Sequence, residues 1–201
     1  MRTINQDWFE RPESRLLASG GSPGNPTSEV VSPEGEVLLR ITNGGIVSPR
    51  AVTLPAGTRI VRLAGSGLPH IALAGCWWLR WDQYKRVEQV ADLRGLSMPV
   101  ALRLLACVPP EWNEMTVVVQ ARLKVPLLAW SGVSAPVIRR NPQIGVNEIL
   151  SGVDESGITL EQLYIPGLTS PDIRHDSLMV EGYGHLPPEQ SRAGYIIRIQ
   201  N

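Results

Sequence analysis

Three short segments of the sequence carry charged, amide or aromatic side chains where a plain structural role explains them poorly. The first, IVRLAGSG, puts Arg62 on the same face of a predicted strand as Ile60 and Ala64. An arginine on a half-buried face needs an anion or several acceptors, because an unpaired buried charge is costly. Arg62 is therefore a candidate ligand for a phosphate group. The alternatives are an internal salt bridge to a carboxylate and an edge-strand arginine in solvent.

The second segment is a pair of adjacent tryptophans, Trp77 and Trp78, which follow Gly75 and Cys76. Neighbouring side chains on an extended segment point to opposite faces, so one indole can enter the core while the other lines a cleft. The face of a tryptophan is also a good stacking surface for a planar, partly cationic ring. The alternative is that both tryptophans are core residues.

The third segment, LEQLYIPG, contains Glu161 and Gln162 on a predicted strand. The two side chains face opposite ways, so one of them must lie on the buried or cleft-facing side. Whichever points inward is a candidate for holding the hydroxyl groups of a sugar. The alternative is that Glu161 lies in solvent and Gln162 caps an edge of the sheet.

Composition limits the chemistry that these segments could support. The 19 Lys and Arg residues balance the 19 Asp and Glu residues, so no overall field draws the chain to nucleic acid or to an anionic membrane. The two cysteines and three histidines have no metal-site or disulfide spacing, and we predict no metal. The sequence also lacks a phosphate-binding loop ending in Gly-Lys-Ser/Thr, a His-Glu-x-x-His motif and a Gly-x-Ser-x-Gly elbow.

The start of the chain does not have the pattern of a secretory signal peptide, because acidic residues lie among the basic ones and no apolar segment follows. No window approaches the roughly 18 apolar residues of a membrane span. We therefore expect no membrane partner and action in a reducing, cytoplasmic compartment. Delivery into a target cell by a route without a cleavable signal is compatible with this expectation.

The elements that must position these residues suggest one strand-rich α+β domain with two central helices over residues 36–201. Residues 1–35 are rich in Gly, Ser and Pro, which predicts a flexible polar leader. Trp8 and Phe9 are exceptions that either dock on the body or are poorly ordered. We predict helices over 80–94 and from 97 to 107, a loop-rich stretch over 134–157, and strands over 37–41, 58–64, 115–124, 127–130, 160–165 and 195–199.

The order of these parts resembles that of ADP-ribosyltransferase-like domains, a superfamily with many interbacterial toxin domains and NAD-hydrolysing relatives. The resemblance spans roughly residues 58–166 and implies a split sheet. It implies that Arg62 orients NAD⁺, that Trp77 or Trp78 packs against the nicotinamide, and that Glu161 or Gln162 holds the ribose 2′-hydroxyl. Tyr164 is implied as a further NAD-binding residue.

The chain departs from that family's pattern in two places. Gln162 stands where a typical transferase has Glu, and no clear Ser-Thr-Ser segment occurs. Some NAD-hydrolysing toxin domains look similar in having Gln here, so the departure favours hydrolysis over transfer.

The resemblance thus implies a toxin or effector that cleaves the nicotinamide–ribose bond of NAD⁺, as an ADP-ribosyltransferase or an NAD⁺ glycohydrolase. It further implies a cognate immunity protein, and the acceptor is a protein, a nucleic acid or water. The competing interpretation is a non-catalytic interaction module whose tryptophans are binding hot spots.

Overall fold

A computed structural model describes residues 2–21, 27–65, 69–186 and 198–200 of the chain. The helices are α1 Gln6–Phe9, α2 Pro12–Ala18, α3 Pro69–Ala72, α4 Trp81–Arg94, α5 Met98–Ala106 and α6 Pro171–Ser177. The strands are β1 Thr27–Val31, β2 Val37–Thr42, β3 Arg50–Leu54, β4 Arg59–Ala64, β5 Trp77–Arg80, β6 Val117–Leu123, β7 Leu127–Val133, β8 Val137–Arg140, β9 Asn147–Leu150, β10 Glu161–Tyr164, β11 Leu178–His185 and β12 Arg198–Gln200.

The strands form two antiparallel sheets, and the predicted α+β class with two central helices is confirmed. The larger sheet has seven strands in the order β11-β6-β4-β5-β10-β7-β3, and we call it the large sheet. The smaller has five strands in the order β1-β2-β8-β9-β12, and we call it the small sheet. None of the helices in the described part of the chain is long and apolar enough to cross a membrane.

The large sheet has a packed core on each of its faces. Strand β6 shows how this arises, because its residues alternate strictly between buried and half-buried from Val117 to Leu123. The buried set joins one core cluster, which also contains Ile60 and Leu163. Leu63 and Leu79 point to the other face and pack under α4 and α5. The three- and four-residue spacing of apolar residues in α4 supplies the surface that covers this second face.

Strand β5 belongs to both halves of the large sheet, and the sheet opens beside it. Its end at Leu79 and Arg80 pairs with β4, whereas its start at Trp77 and Trp78 pairs with β10. The pairing of β4 with β5 stops at Val61. From the next residue onward β4 has no partner on that side among the described residues. The gap between β4 and the start of β5 therefore lies beside Arg62.

The N-terminal residues differ from the predicted flexible leader, because the described part of residues 1–35 contains α1, α2 and β1. Asn5 is fully buried. Its Nδ2 donates to Leu128 O (2.8 Å) and Pro166 O (3.0 Å), and its Oδ1 accepts from Leu128 N (3.0 Å). Phe9 stacks on Trp130 with 4.5 Å between ring centroids. These contacts with β7 and the segment after β10 offset the entropy cost of ordering a polar segment.

Two further sequence predictions differ from the structure. The stretch 134–157, predicted as loop, contains the small-sheet strands β8 and β9. Each has only four residues, and each has a single buried position, so neither carries a clear alternation of apolar and polar residues. The predicted strand over 195–199 overlaps β12 at residues 198–199, and its residues 195–197 lie outside the described part.

Candidate functional site

A cavity of about 450 Å³ opens where the large sheet splits, and four of the residues predicted from the sequence line it. They are Arg62, Trp77, Trp78 and Gln162, which come from the adjacent strands β4, β5 and β10. A volume of this size suits a small organic ligand. The other lining residues are Leu17, Gly20, Gly21, Asn43, Gly44, Gly45, Val61, Leu63, Leu79, Leu102, Ala106, Cys107, Val108, Trp112, Asn113 and Met115.

The guanidinium of Arg62 is held in the split by backbone groups. Its Nη1 donates to Trp77 O at 3.0 Å, and its Nε is buried with no hydrogen-bond partner among the described residues. Gly75 packs directly on the guanidinium, since a Cβ there would lie 2.1 Å from Nη1. Burial lowers the pKa of Arg62, and nearby Cys76 opposes this shift. Within the described chain no carboxylate is ion-paired to Arg62, so its charge is available to an anion.

The two tryptophans have separate roles, as the alternation of β5 predicts. Trp78 is 2% exposed, belongs to the core and donates from Nε1 to Gly75 O at 2.7 Å. Trp77 is half-buried and meets Tyr164 edge to face, with 5.0 Å between ring centroids. Burial, followed by the neighbouring Cys76, raises the pKa of Tyr164, so its ring stays neutral. Tyr164 does not line the cavity but packs against Trp77, which does.

Glu161 and Gln162 face opposite ways, and Gln162 is the one that lines the cavity. Its Nε2 donates to Ala106 O at 3.1 Å and to Ser134 Oγ at 2.7 Å. A carbonyl can only accept, so the amide nitrogen points to Ala106, and Oε1 has no hydrogen bond to the described residues. Glu161 lies outside the cavity, where its side chain is 38% exposed and pairs with Arg50 Nη2 at 3.0 Å.

Sequence reasoning missed the part of the cavity contributed by the loop between α5 and β6. Trp112 is 39% exposed and donates from Nε1 to Ser28 Oγ at 3.2 Å. Asn113 fastens the same loop to β4, since its Nδ2 donates to Leu63 O at 3.1 Å. Cys107 and Met115, near the two ends of this loop, have φ of 53° and 55°. Left-handed conformations of residues other than glycine are concentrated at functional sites. The adjacent aromatic and amide residues Trp112 and Asn113, shortly after Pro109-Pro110, are the sequence signal that could have pointed to this loop.

The electrostatics of the cavity are simple. Of the lining residues, Arg62 alone carries a formal charge, and burial raises the pKa of the Cys107 thiol to about 12, so that thiol is neutral. No group of three or more His, Cys, Asp or Glu residues in the described ranges could hold a metal ion. The cavity therefore combines one cation, three tryptophans and amide groups. Such a set suits a ligand with an anionic group and planar rings.

No protein-family model matches the chain, and no curated protein matches it. Two solved structures are similar in fold. Rhs1-CT in complex with its cognate immunity protein RhsI1 is 11% identical with a TM-score of 0.42, covering 70% of this chain and 83% of that one. Tne2 in complex with Tni2 is 14% identical with a TM-score of 0.40, covering 70% of this chain and 93% of that one.

Proposed function

We propose that the protein is an NAD⁺-consuming enzyme of the ADP-ribosyltransferase-like class that cleaves the nicotinamide–ribose bond by hydrolysis. The observation that carries the proposal is that Arg62, Trp77 and Gln162 all line one cavity at the split of the large sheet. An interaction module would have these residues dispersed or packed in the core. The resemblance to toxin domains adds two expectations to the proposal: action as an effector in the cytoplasm of a target cell, and inhibition by a cognate immunity protein.

Arg62 binds the pyrophosphate in this proposal. A buried guanidinium without a carboxylate partner recovers its lost hydration when an anion enters the cavity. Hydrogen bonds from a guanidinium to phosphate oxygens are charge-assisted and directional, so they also fix the orientation of the dinucleotide. The bond from Arg62 Nη1 to Trp77 O ties this anchor to the start of β5. The phosphate group and the stacking ring of Trp77 are thereby held in a fixed position relative to each other.

Trp77 and Gln162 act on the reacting end. The indole of Trp77 stacks on the cationic nicotinamide ring, and the ring of Tyr164 packs against that indole at an interplanar angle of 67°. Gln162 Oε1 accepts a hydrogen bond from a ribose hydroxyl and holds the sugar as it takes on oxocarbenium character. The bond between nicotinamide N1 and ribose C1′ breaks, and its electron pair leaves with neutral nicotinamide. Water adds at C1′, and its proton passes to solvent.

The position of Glu161 favours water as the acceptor. Its carboxylate pairs with Arg50 outside the cavity, so no carboxylate lines the reacting site in the described residues. A site without this charge relies on positioning and suits an acceptor that reaches the sugar without activation. Products of hydrolysis are ADP-ribose and nicotinamide. Transfer to a protein or nucleic acid would appear instead as ADP-ribose attached to the acceptor.

Incubation with NAD⁺ and chromatographic detection of nicotinamide test the proposal. Arg62→Ala should lower the rate roughly 100-fold or more, as expected on removal of a group that binds charge in the transition state. Arg50→Ala is the matched control, because it removes an exposed arginine outside the cavity and should leave the rate unchanged. Circular dichroism verifies that both variants are folded. Unchanged NAD⁺ at high protein concentration, with protein and nucleic-acid acceptors present, would show that the proposal is wrong.

A second pair of variants separates the two neighbours on β10. Gln162→Ala should lower the rate roughly 100-fold, because the ribose loses its positioning contact. Glu161→Ala should leave nicotinamide release within about twofold, since a surface ion pair contributes little. Equal losses in both variants would contradict the role assigned to Gln162.

A further inference from the structure

The cavity has a second aromatic surface that the proposed reaction does not use. Trp112 lies on the loop after α5 and lines the same cavity as Trp77, which lies on β5. Its indole Nε1 donates to Ser28 Oγ on β1, which fixes the ring by its polar edge, and the residue is 39% exposed. Gly44 adjoins the ring, and a Cβ there would lie 3.4 Å from Cζ3.

The position of Trp112 is tied to that of Arg62 through a short path of hydrogen bonds. Asn113 uses both ends of its amide: Nδ2 donates to Leu63 O at 3.1 Å, and Oδ1 accepts from Met115 N at 2.9 Å. The residue beside Trp112 is thus bonded to the residue beside Arg62. Because Arg62 in turn donates to Trp77 O, one dipeptide of β4 connects the two indole surfaces.

We propose that Trp112 is the stacking surface for the adenine ring of the dinucleotide, with the pyrophosphate at Arg62. A dinucleotide has a planar ring at each end and two phosphates between them. The cavity offers a matching set, which is the half-buried Trp77 on β5, the cation of Arg62 on β4 and Trp112 on the loop after α5. A base stacks well on an indole face, and such a contact tolerates different bases because every base has a π-face. This assignment rests on the proposed function for the nicotinamide end, but the adenine end needs no reaction.

Binding of ADP and of inorganic pyrophosphate, measured by calorimetry, tests the adenine site without catalysis. The Trp112→Ala variant should bind ADP roughly tenfold or more weakly than the unaltered protein, the usual size of a lost base–indole stack. Its affinity for pyrophosphate should be unchanged. Trp112→Phe keeps an aromatic face and should retain most of the affinity for ADP. Trp81→Ala is the matched control, since that indole stacks on Tyr84 and does not line the cavity.

Each outcome separates the two proposals. ADP binding that depends on Trp112, without any nicotinamide release from NAD⁺, supports the adenine site and contradicts the proposed function. Nicotinamide release with the same KM for NAD⁺ in Trp112→Ala contradicts the adenine site and supports the function. If both hold, KM for NAD⁺ rises roughly tenfold in that variant at unchanged kcat. Absence of ADP binding to the unaltered protein, or equal weakening of ADP and pyrophosphate by the substitution, overturns the adenine site.

Discussion

The large and small sheets differ in how much of each is buried, and the cavity lies where they meet. The large sheet has core clusters on both faces, and β6 alternates between buried and half-buried positions along its whole length. The core cluster at the small sheet has four buried residues, of which Ile41, Val137 and Leu150 lie on its strands and Cys107 lies at the end of α5. Regions with few buried contacts open more readily than a packed core. The site therefore combines a rigid side, formed by the large sheet, with a side next to the small sheet that is more easily displaced.

Three contacts join the two regions around the cavity. Cys107 Sγ donates to Leu150 O at 3.2 Å, and Trp112 donates to Ser28 of β1. Gln162 of β10 donates to Ser134 Oγ, on the segment that leads into β8. Arg62 and Trp77 thus belong to the large sheet, whereas Trp112 depends on the small sheet for its orientation. Substitutions in each region should reveal this difference.

Removal of a side chain from the core of the large sheet should have the largest effect on the free energy of unfolding. Leu163 is 1% exposed and lies in the core cluster of the large sheet. Leu163→Ala should lower the free energy of unfolding by about 2–5 kcal/mol, because both buried area and packing are lost. Urea denaturation followed by circular dichroism measures this change. A loss below about 1 kcal/mol would contradict tight packing in the core of the large sheet.

The docking of the N-terminal helices should be the next most sensitive point. Asn5→Ala leaves the buried carbonyls of Leu128 and Pro166 without a donor, so we expect a loss of about 1–3 kcal/mol. Hydrogen exchange should then become faster in α1 and α2 than in β6. Gln6→Ala is a matched control, because that amide donates to Glu10 on the surface and accepts only a long bond of 3.4 Å from Thr3 N, so its loss should cost less than about 0.5 kcal/mol.

The stabilisation that buried Cys107 contributes where α5 meets the small sheet should be lost at alkaline pH. Burial raises the pKa of Cys107 from an ordinary 9.0 to about 12. The folded state then holds a proton that the unfolded state loses, so the stabilisation is complete below pH 9.0 and is lost as the pH rises toward 12. The slope is roughly 1.4 kcal/mol per pH unit for one such group. The stability difference between the unaltered protein and Cys107→Ala should shrink between pH 9 and 10, and a constant difference would contradict the assignment.

Removal of an exposed side chain from the small sheet should have the smallest effect. Ile138 on β8 is 40% exposed. Ile138→Ala should change the free energy of unfolding by less than about 0.5 kcal/mol, as is usual for surface positions. Measured beside Leu163→Ala, it defines the contrast between the two regions. A loss approaching that of Leu163→Ala would mean that another surface covers β8 in solution.

Local patterns in the sequence were enough to predict the parts of the fold that bury one face. The alternation of β6 and the helical spacing of α4 reflect that burial directly, and both elements occur where we predicted them. The same period of two predicted that Arg62 shares a face with Ile60 and Ala64. It also predicted opposite directions for Glu161 and Gln162. Which of these two faced the cavity depends on the strands beside β10, which a local pattern does not contain.

The parts that were missed depend on contacts between distant segments. Asn5 is a polar residue in a polar stretch, and its partners on β7 and after β10 are more than 120 residues away. Strands β8 and β9 are short and partly exposed, so their pairing leaves little trace in the residue types. Trp112 lies in a loop, and its place in the cavity is determined by hydrogen bonds to β1 and β4 through its own ring and through Asn113.

The docked N-terminal segment makes ligand affinity and the order of α1 and α2 mutually dependent. Leu17, Gly20 and Gly21 line the cavity, and the backbone of Gly20 touches Gly44 so closely that a Cβ there would lie 1.5 Å from Gly44 O. A ligand that contacts these residues binds the docked form better than the undocked one, and it therefore lowers the population in which the two helices are undocked. Linkage is reciprocal. Asn5→Ala, which shifts the segment toward its undocked form, should thus weaken ADP binding by the same factor by which bound ADP favours the docked form.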